Sequence, residues 1–249
     1  MNSEYLEELK ANNFQIKIIK PDVKDFVDYL KKADYHLFRH YYSGRRAYLI
    51  IEKALEHYLA AKLLNLTKED VYIDVANYDS PAPDIYHKLY GCKTYRQDLV
   101  FPEGITGNRI GGDASNMPVE DGFATKMALH CSFECFEHDS DIKFIVESNR
   151  ILRKGGKLCI LPLYLFNQYA FKINPVMWPR GNAELERDVT IYCVKGWGTK
   201  FVRYYDVPTF ISRIRSNLGN LKLTIYNVQP KGYLAGKTYV RIIALFEKI

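Results

Sequence analysis

Residues 108–166 decide the fold, and they read NRIGGDASNMPVEDGFATKMALHCSFECFEHDSDIKFIVESNRILRKGGKLCILPLYLF. Ala124 to His130 is a short apolar run that ends at polar residues, which is typical of a buried parallel strand. The acidic segment 137–141 then favours a helix N-terminus, and the Gly155-Gly156 pair indicates the stop of that helix, with Arg153 and Lys154 in its last turn. Residues 157–165 predict a second buried strand, so this stretch forms one βαβ unit.

Three pieces of this stretch carry a resemblance. They are Asp113-Ala114 followed by Met117-Pro118, the strand end from His130 to Glu134, and the tail RILRKGGKL at 150–158. Together they resemble class I S-adenosylmethionine (SAM)-dependent methyltransferases, of the type 11-like group, over residues 68–166. The resemblance implies an α/β Rossmann-like fold: a mostly parallel seven-stranded sheet with helices on both faces and an N-terminal helical cap.

The resemblance also implies a division of the chain. We expect a helical cap or lid over 1–66, which includes a predicted helix at 47–66, and a methyltransferase domain over 67–249. Residues 167–200 interrupt the pattern of a compact core, and we expect them to be an insertion that builds the acceptor site. The alternative for this insertion is a dimer contact, because aromatic residues with arginine are also typical of interfaces.

The first cofactor motif departs from the family. Residues 70–76 predict the first core strand, and the resemblance assigns Asp74, Ala76 and Asn77 to cofactor binding. The family continues with a glycine-rich loop, whereas this chain has no glycine at 77–81. We expect the Asn and Asp residues there to adopt the left-handed backbone that glycine normally supplies, and Tyr78 to stand where the family leaves space.

Three further positions match the adenosine side of the family's site. The resemblance assigns Asp98, at the end of the predicted strand 92–99, to the ribose hydroxyls. It assigns Asp113 to the adenine amino group and the backbone of Ala114 to the ring. The alternative for Asp98 is an ordinary loop carboxylate.

Chemistry is predicted at the end of the strand at 124–130. Strand C-termini in open α/β sheets face the ligand crevice, which brings His130 and Glu134 toward the transferred methyl group. We expect His130 to take a proton from the acceptor and Glu134 to assist, and His130 is also a cofactor-binding candidate. The alternative is that His130 only packs against adenosine and Glu134 is a helix-start acid.

Acceptor-binding candidates come from the aromatic flanks of the recognised region. The cap contributes an aromatic and basic patch, and the insertion contributes a second one. The candidates are Tyr41, Tyr42, Arg45, Tyr164, Trp178 and Arg180. Ordinary helix packing with solvated arginines is the alternative for the cap patch.

The overall composition limits which locations, partners and metal sites we expect for this chain. The 249-residue chain has a net charge of +6 but no dense basic block, so we expect that nucleic acid is an improbable partner. It has no apolar run of transmembrane length, and its N-terminus is unlike a signal peptide. We therefore expect a cytoplasmic protein without membrane association. Cys131 and Cys135 lie four residues apart, but no second cysteine pair accompanies them and we predict no metal. A homodimer is left open.

The predicted function is methyl transfer from SAM to an oxygen or nitrogen of a small metabolite or sugar-type acceptor. Two alternatives stay open. One is a non-catalytic binding or scaffold protein that has lost SAM, which the glycine-free loop favours. The other is an RNA methyltransferase, which the lack of a motif for base methylation after His130 disfavours.

Overall fold

The computed structural model describes residues 4–42, 49–177, 189–196, 198–236 and 238–249. Within them the α-helices are α1 (Glu4–Ala11), α2 (Val23–Ala33), α3 (Arg39–Tyr42), α4 (Ile50–Leu64), α5 (Ala82–Tyr90), α6 (Ser140–Ile151) and α7 (Val207–Arg213). The strands are β1 (Ile16–Ile19), β2 (Val71–Val75), β3 (Lys93–Asp98), β4 (Gly104–Thr106), β5 (Arg109–Gly111), β6 (Ala124–His130), β7 (Leu152–Leu161), β8 (Ala170–Ile173), β9 (Thr190–Cys193), β10 (Phe201–Tyr204), β11 (Leu221–Val228) and β12 (Ile242–Lys248).

The central sheet confirms the predicted α/β architecture and adds two strands to the expected seven. Its order among the described residues is β1-β11-β12-β7-β6-β2-β3-β5-β4. The pairs from β7 through β6, β2 and β3 to β5 are parallel, whereas β12 runs antiparallel to both of its neighbours. The additions are β1, which pairs in parallel with β11, and β4, which forms an antiparallel hairpin with β5. Both lie at the edges, so the seven inner strands keep the expected plan.

The βαβ unit is confirmed, but the position of its glycine pair was predicted wrongly. Helix α6 ends at Ile151 and β7 begins at Leu152, so the segment 153–156 lies inside the strand. Leu152 pairs with Ala124 and Lys157 with Lys126, which places four residues of β7 opposite one residue of β6 as a bulge. Gly155 has φ +76°, and a Cβ on Gly156 would lie 2.7 Å from the carbonyl oxygen of Arg153. The glycines therefore make the bulge rather than end the helix.

Buried side chains form two clusters, one on each face of the central sheet. Along β2, Ile73 and Val75 belong to one cluster and Tyr72 to the other, as the alternation of side chains in a strand requires. Helices α1, α6 and α7 contribute to the first cluster, and α2, α4 and α5 to the second. Helices thus cover both faces, and α2 and α4 from the N-terminal segment cover one of them.

Strands β8, β9 and β10 form a separate three-stranded sheet that takes in part of the predicted insertion. A buried ion pair ties it to the main domain: Nη1 of Arg203 in β10 lies 2.9 Å from Oδ2 of Asp141 in α6, and both side chains are almost fully buried. Asp141 also accepts hydrogen bonds from Tyr205 and Arg213. This network fixes the small sheet against α6.

Candidate functional site

Two adjoining cavities open at the carboxyl ends of the parallel strands, where open α/β sheets bind their ligands. The larger is about 910 Å³ and the smaller about 190 Å³. The larger receives side chains from the ends of β2 and β6, from α4 and from β10. The smaller receives them from the end of β3, from the loop after β5 and from the segment before α6. Ala76 and Cys135 line both cavities, so the two lie side by side along one crevice wall.

The glycine-free loop after β2 does adopt left-handed backbone, but at residues other than those expected. Ala76 has φ 51° and Tyr78 has φ 54°, whereas Asn77 and Asp79 have no positive φ. Asn77 is held differently: its side-chain amide donates to Asp74 and, at 3.1 Å, to the carbonyl oxygen of Ser80. The expectation that Asn and Asp supply the left-handed positions was therefore wrong, because the Asn77 side chain is used to close the turn.

Strand β3 supplies the acceptors that hold this loop. Oε1 of Gln97 accepts the Ala76 N–H at 3.1 Å, and its carbonyl oxygen accepts the Asn77 N–H at 2.9 Å. Gln97 also donates from Nε2 to the carbonyl oxygen of Gly112 at 2.6 Å, so it joins the loop after β2 to the segment that precedes Asp113. The sequence does not predict this role of Gln97, because no motif or spacing around it indicates a contact with the loop after β2.

The three residues assigned to adenosine lie together in the smaller cavity. Asp98, Asp113 and Ala114 all line it. Each oxygen of Asp98 accepts one backbone N–H, from Tyr78 at 2.6 Å and from Val100 at 3.1 Å. Oδ1 of Asp113 accepts both the N–H and the hydroxyl of Ser115, each at 2.8 Å. A carboxylate has about four lone-pair positions, so both side chains retain acceptor capacity.

Asp74 lies in the wall of the larger cavity beside His130. The Tyr72 hydroxyl donates to Asp74 Oδ1 at 2.7 Å, and Nε2 of His130 lies 3.5 Å from the same oxygen. Burial raises the pKa of Asp74 to about 6, against the hydrogen bonds from Tyr72 and Asn77. Burial, with the nearby His57 and Lys53, lowers the pKa of His130 well below its ordinary value. His130 is therefore a neutral imidazole at pH 7 and a weaker base than an exposed histidine.

His57 of α4 packs against His130, next to Asp74. The ring centroid of His57 lies 4.8 Å from that of His130 in an edge-on arrangement. Its Nδ1 lies 2.8 Å from the Tyr35 hydroxyl, and burial followed by the charge of Lys53 lowers its pKa to about 3. The N-terminal segment thus contributes packing and hydrogen bonds to the base of the site.

Glu134 lies under the larger cavity. Its side chain is buried, with the residue only 4% exposed, and Oε1 accepts a hydrogen bond from the Cys131 thiol at 3.1 Å. Among the described residues Oε2 has no hydrogen-bond partner. Burial raises the pKa of Glu134, and burial with the Glu134 charge raises that of Cys131 well above its ordinary value. Cys131 is thus a protonated donor, held at φ 58° where the chain leaves β6.

One ammonium group of the larger cavity comes from α4. Nζ of Lys53 lies 3.0 and 3.1 Å from the two carboxylate oxygens of Glu56, which is fully buried. Burial raises the pKa of Glu56 to about 8, although Lys53 opposes the shift. Both residues escaped sequence reasoning because the spacing i, i+3 on a helix is equally typical of a solvent-exposed pair.

The acceptor-binding candidates are only partly described. Tyr41 and Tyr164 line the larger cavity, together with Tyr204 and Tyr239, and their role in acceptor binding stays a prediction. The Tyr42 side chain, Arg45, Trp178 and Arg180 lie outside the described residues.

Metal and membrane features were searched over the same residues. In the described ranges no group of three or more His, Cys, Asp or Glu side chains is arranged to hold a metal ion. No helix within them is both long and apolar enough to cross a membrane.

No protein-family model matches the chain, and no curated protein is significantly similar in sequence. Solved structures do match. A SAM-dependent methyltransferase of Clostridium acetobutylicum aligns at 13% identity over 86% of this chain and 98% of that one, with a TM-score of 0.54. The 1,6-didemethyltoxoflavin-N1-methyltransferase of Burkholderia thailandensis, solved with its substrate and S-adenosylhomocysteine, aligns at 11% identity over 94% and 93%, with a TM-score of 0.51.

Other matches are partial. A methyltransferase-related protein of Bacillus halodurans aligns at 18% identity over 43% of this chain and 51% of that chain, about half its length, with a TM-score of 0.38. The two nearly full-length alignments confirm the class I methyltransferase fold for this chain.

Proposed function

We propose that the protein transfers a methyl group from SAM to a nitrogen or oxygen of a small-molecule acceptor. The observation that carries this proposal is the joined pair of cavities at the carboxyl edge of the sheet. The smaller cavity gathers the three residues assigned to adenosine, and the larger one gathers Asp74, His130 and Glu134. These residues are far apart in the sequence, and the carboxyl ends of the neighbouring parallel strands bring them to the same edge of the sheet.

The donor set fits the cofactor. Asp98 retains acceptor positions for the ribose hydroxyls, and Asp113 retains them for the adenine amino group. Asp74, with Asn77 beside it, is a buried carboxylate in the wall of the larger cavity, suited to the ammonium group of the methionine portion. When bound, SAM supplies an electrophilic methyl group on a sulfonium cation.

The protein's own contribution is positioning and proton acceptance. Tyrosines around the larger cavity suit a cationic sulfonium through attraction to their ring faces. Glu134 is the better proton acceptor of the two candidates, because burial strengthens the basicity of a carboxylate and weakens that of an imidazole. The catalytic role of His130 stays a prediction. The cap over 1–66, the homodimer and the cytoplasmic location stay predictions too.

The acceptor class rests on the dimensions and lining of the larger cavity. A volume of about 910 Å³ is in the range for a small ligand beside part of the cofactor. The neighbour from Burkholderia thailandensis is a 1,6-didemethyltoxoflavin-N1-methyltransferase, and its small-molecule acceptor is consistent with this class. A sugar-type acceptor stays a prediction of the sequence.

Calorimetric titration with SAM and with S-adenosylhomocysteine tests the proposal. We expect binding by the wild type and a loss of about tenfold or more in Asp113→Ala, since a hydrogen bond to a charged group contributes about 1.5–3 kcal/mol. Asp28→Ala, on the exposed side of α2, is the matched control and should bind as the wild type does. Equal affinity of the wild type and Asp113→Ala would remove the adenosine assignment.

One observation favours a second candidate, a methyltransferase-like fold without cofactor. The N–H groups of Ala76, Asn77 and Tyr78 are all satisfied within the protein, by Gln97 and Asp98. A loop closed on itself in this way requires no ligand for its stability. A folded sample free of co-purified ligand that binds neither SAM nor S-adenosylhomocysteine would establish this candidate.

A further inference from the structure

The carboxylate of Glu134 is the polar group of the larger cavity that most needs a partner. Glu134 is 4% exposed, it lines the cavity, and its Oε2 has no hydrogen-bond partner among the described residues. A buried acceptor left without a donor is costly, and the cost is greater for a charged oxygen than for a neutral one. A ligand that brings a donor to Oε2 removes that cost.

The charged side chains of the described lining favour one sign of charge on the ligand group that donates to Glu134. The lining contains two carboxylates, Asp74 and Glu134, and one ammonium group, that of Lys53. Nζ of Lys53 is already hydrogen-bonded to both oxygens of Glu56, and within the described residues it forms no ion pair with Glu134. The proposed cofactor uses Asp74, which leaves Glu134 as the carboxylate of the described lining without an ion-pair partner. An acceptor with a carboxylate or phosphate group would meet this charge unfavourably.

The walls around Glu134 are aromatic and hydroxylated. The thiol of Cys131 bridges them, with Sγ 3.1 Å from Glu134, 3.8 Å from the Tyr164 hydroxyl and 3.7 Å from the Tyr239 hydroxyl. Tyr204 packs edge-on to Tyr164 with ring centroids 5.3 Å apart. Aromatic faces next to a carboxylate form a favourable environment for a nitrogen cation.

We infer that the acceptor is a primary or secondary amine, whose nitrogen is held by Oε2 of Glu134 between Tyr164 and Tyr239. The inference rests on the proposed function and narrows its acceptor class. An alcohol is less suitable, because its proton is far less acidic than that of an ammonium group and a carboxylate does not remove it readily.

The transfer balances with the groups present. The cationic amine first binds as an ion pair with Glu134 and gives it one proton. The nitrogen then donates its lone pair to the methyl carbon, and the carbon–sulfur bond breaks with both electrons going to sulfur, which yields neutral S-adenosylhomocysteine. The methylated ammonium product leaves, and Glu134 releases its proton to water. No oxidant or further reactant is required.

The test measures probe binding by the protein saturated with S-adenosylhomocysteine. Benzylamine, benzyl alcohol and benzoate share one carbon skeleton and differ in the group presented to Glu134. We expect benzylamine to bind at least tenfold more tightly than the other two. We expect Glu134→Gln to weaken benzylamine binding about tenfold or more while it leaves the affinity for S-adenosylhomocysteine unchanged.

Glu120→Gln is the control, because it removes the same charge at an exposed position that lines neither cavity. Tighter or equal binding of the alcohol or the carboxylate overturns the inference, and so does the absence of benzylamine binding at millimolar concentration. An amine preference that persists in Glu134→Gln overturns the role of Glu134. If S-adenosylhomocysteine itself does not bind, the proposed function fails, and benzylamine binding by the protein alone then reports separately on the cavity.

Discussion

Substitution of Ala76 by glycine tests how the unusual loop is built. Ala76 has φ 51°, and left-handed backbone costs a residue with a Cβ roughly 1–2 kcal/mol. Glycine removes that cost but adds about 0.4–1 kcal/mol of conformational entropy to the unfolded chain. The net change for Ala76→Gly is therefore a stabilisation between about zero and about 1.6 kcal/mol.

The matched control is Ala11→Gly, at the exposed C-terminal residue of α1, where the backbone is right-handed. Its unfolded chain gains the same entropy without any relief of strain, so it should lose about 0.5–1 kcal/mol. The two variants should thus differ by about 1–2 kcal/mol, or about 2–8 °C in Tm for a chain of this length. Thermal unfolding followed by circular dichroism measures the difference. If Ala76→Gly loses as much stability as Ala11→Gly, the left-handed loop is not the strained element inferred here.

Two further substitutions test the supports of the crevice. Asp141→Asn should destabilise the fold by about 3–5 kcal/mol in denaturant titration, because it leaves the buried Arg203 without its counter-charge. Burial raises the pKa of Asp141, but Arg213 and Arg203 outweigh burial and hold this pKa below its ordinary value. The ionised Asp141 therefore stabilises the fold fully above about pH 4, and this contribution is lost as the pH falls through the lowered pKa. Denaturant titrations of Asp141→Asn should lack this acid-dependent component. Gly111→Ala should lower the free energy of unfolding by about 1–3 kcal/mol and weaken cofactor affinity, since the added Cβ would lie 1.8 Å from the carbonyl oxygen of Pro102. Gly236→Ala is the control, because its Cβ meets open space and should change neither quantity. Equal effects of the two substitutions would contradict the close packing at Gly111.

The parts of the fold that follow from local pattern could be predicted. Strand β6 has a buried apolar run and helix α6 an acidic N-terminal segment, and both begin where the sequence indicates. Strand β1 was missed because its four residues pair with β11, more than 200 positions away in the chain. The small sheet of β8, β9 and β10 was missed for the same reason: each strand has four residues, too few for a periodic signal.

The same distinction applies to the candidate site: residues that follow a predicted strand could be proposed from the sequence, and residues that depend on distant partners could not. Asp98, Asp113 and Ala114 could be proposed from the sequence because they follow strands in a known order, and all three line the smaller cavity. Gln97 and Lys53 were not found, because their importance depends on partners that only the folded chain brings near. Neither Gln97 nor the unpartnered oxygen of Glu134 has a sequence signal of its own.

The glycine-free loop raises one remaining question, whether its side chains close the site. Three consecutive N–H groups, those of Ala76, Asn77 and Tyr78, end on Gln97 and Asp98 of β3. These bonds hold the left-handed backbone that glycine usually permits, so the loop keeps its path without glycine. The Tyr78 side chain stands at the cavity wall but is 58% exposed, and a space of about 910 Å³ remains beside it. Loss of glycine and retention of an open crevice are therefore compatible, because strand β3 supplies the acceptors that hold the loop.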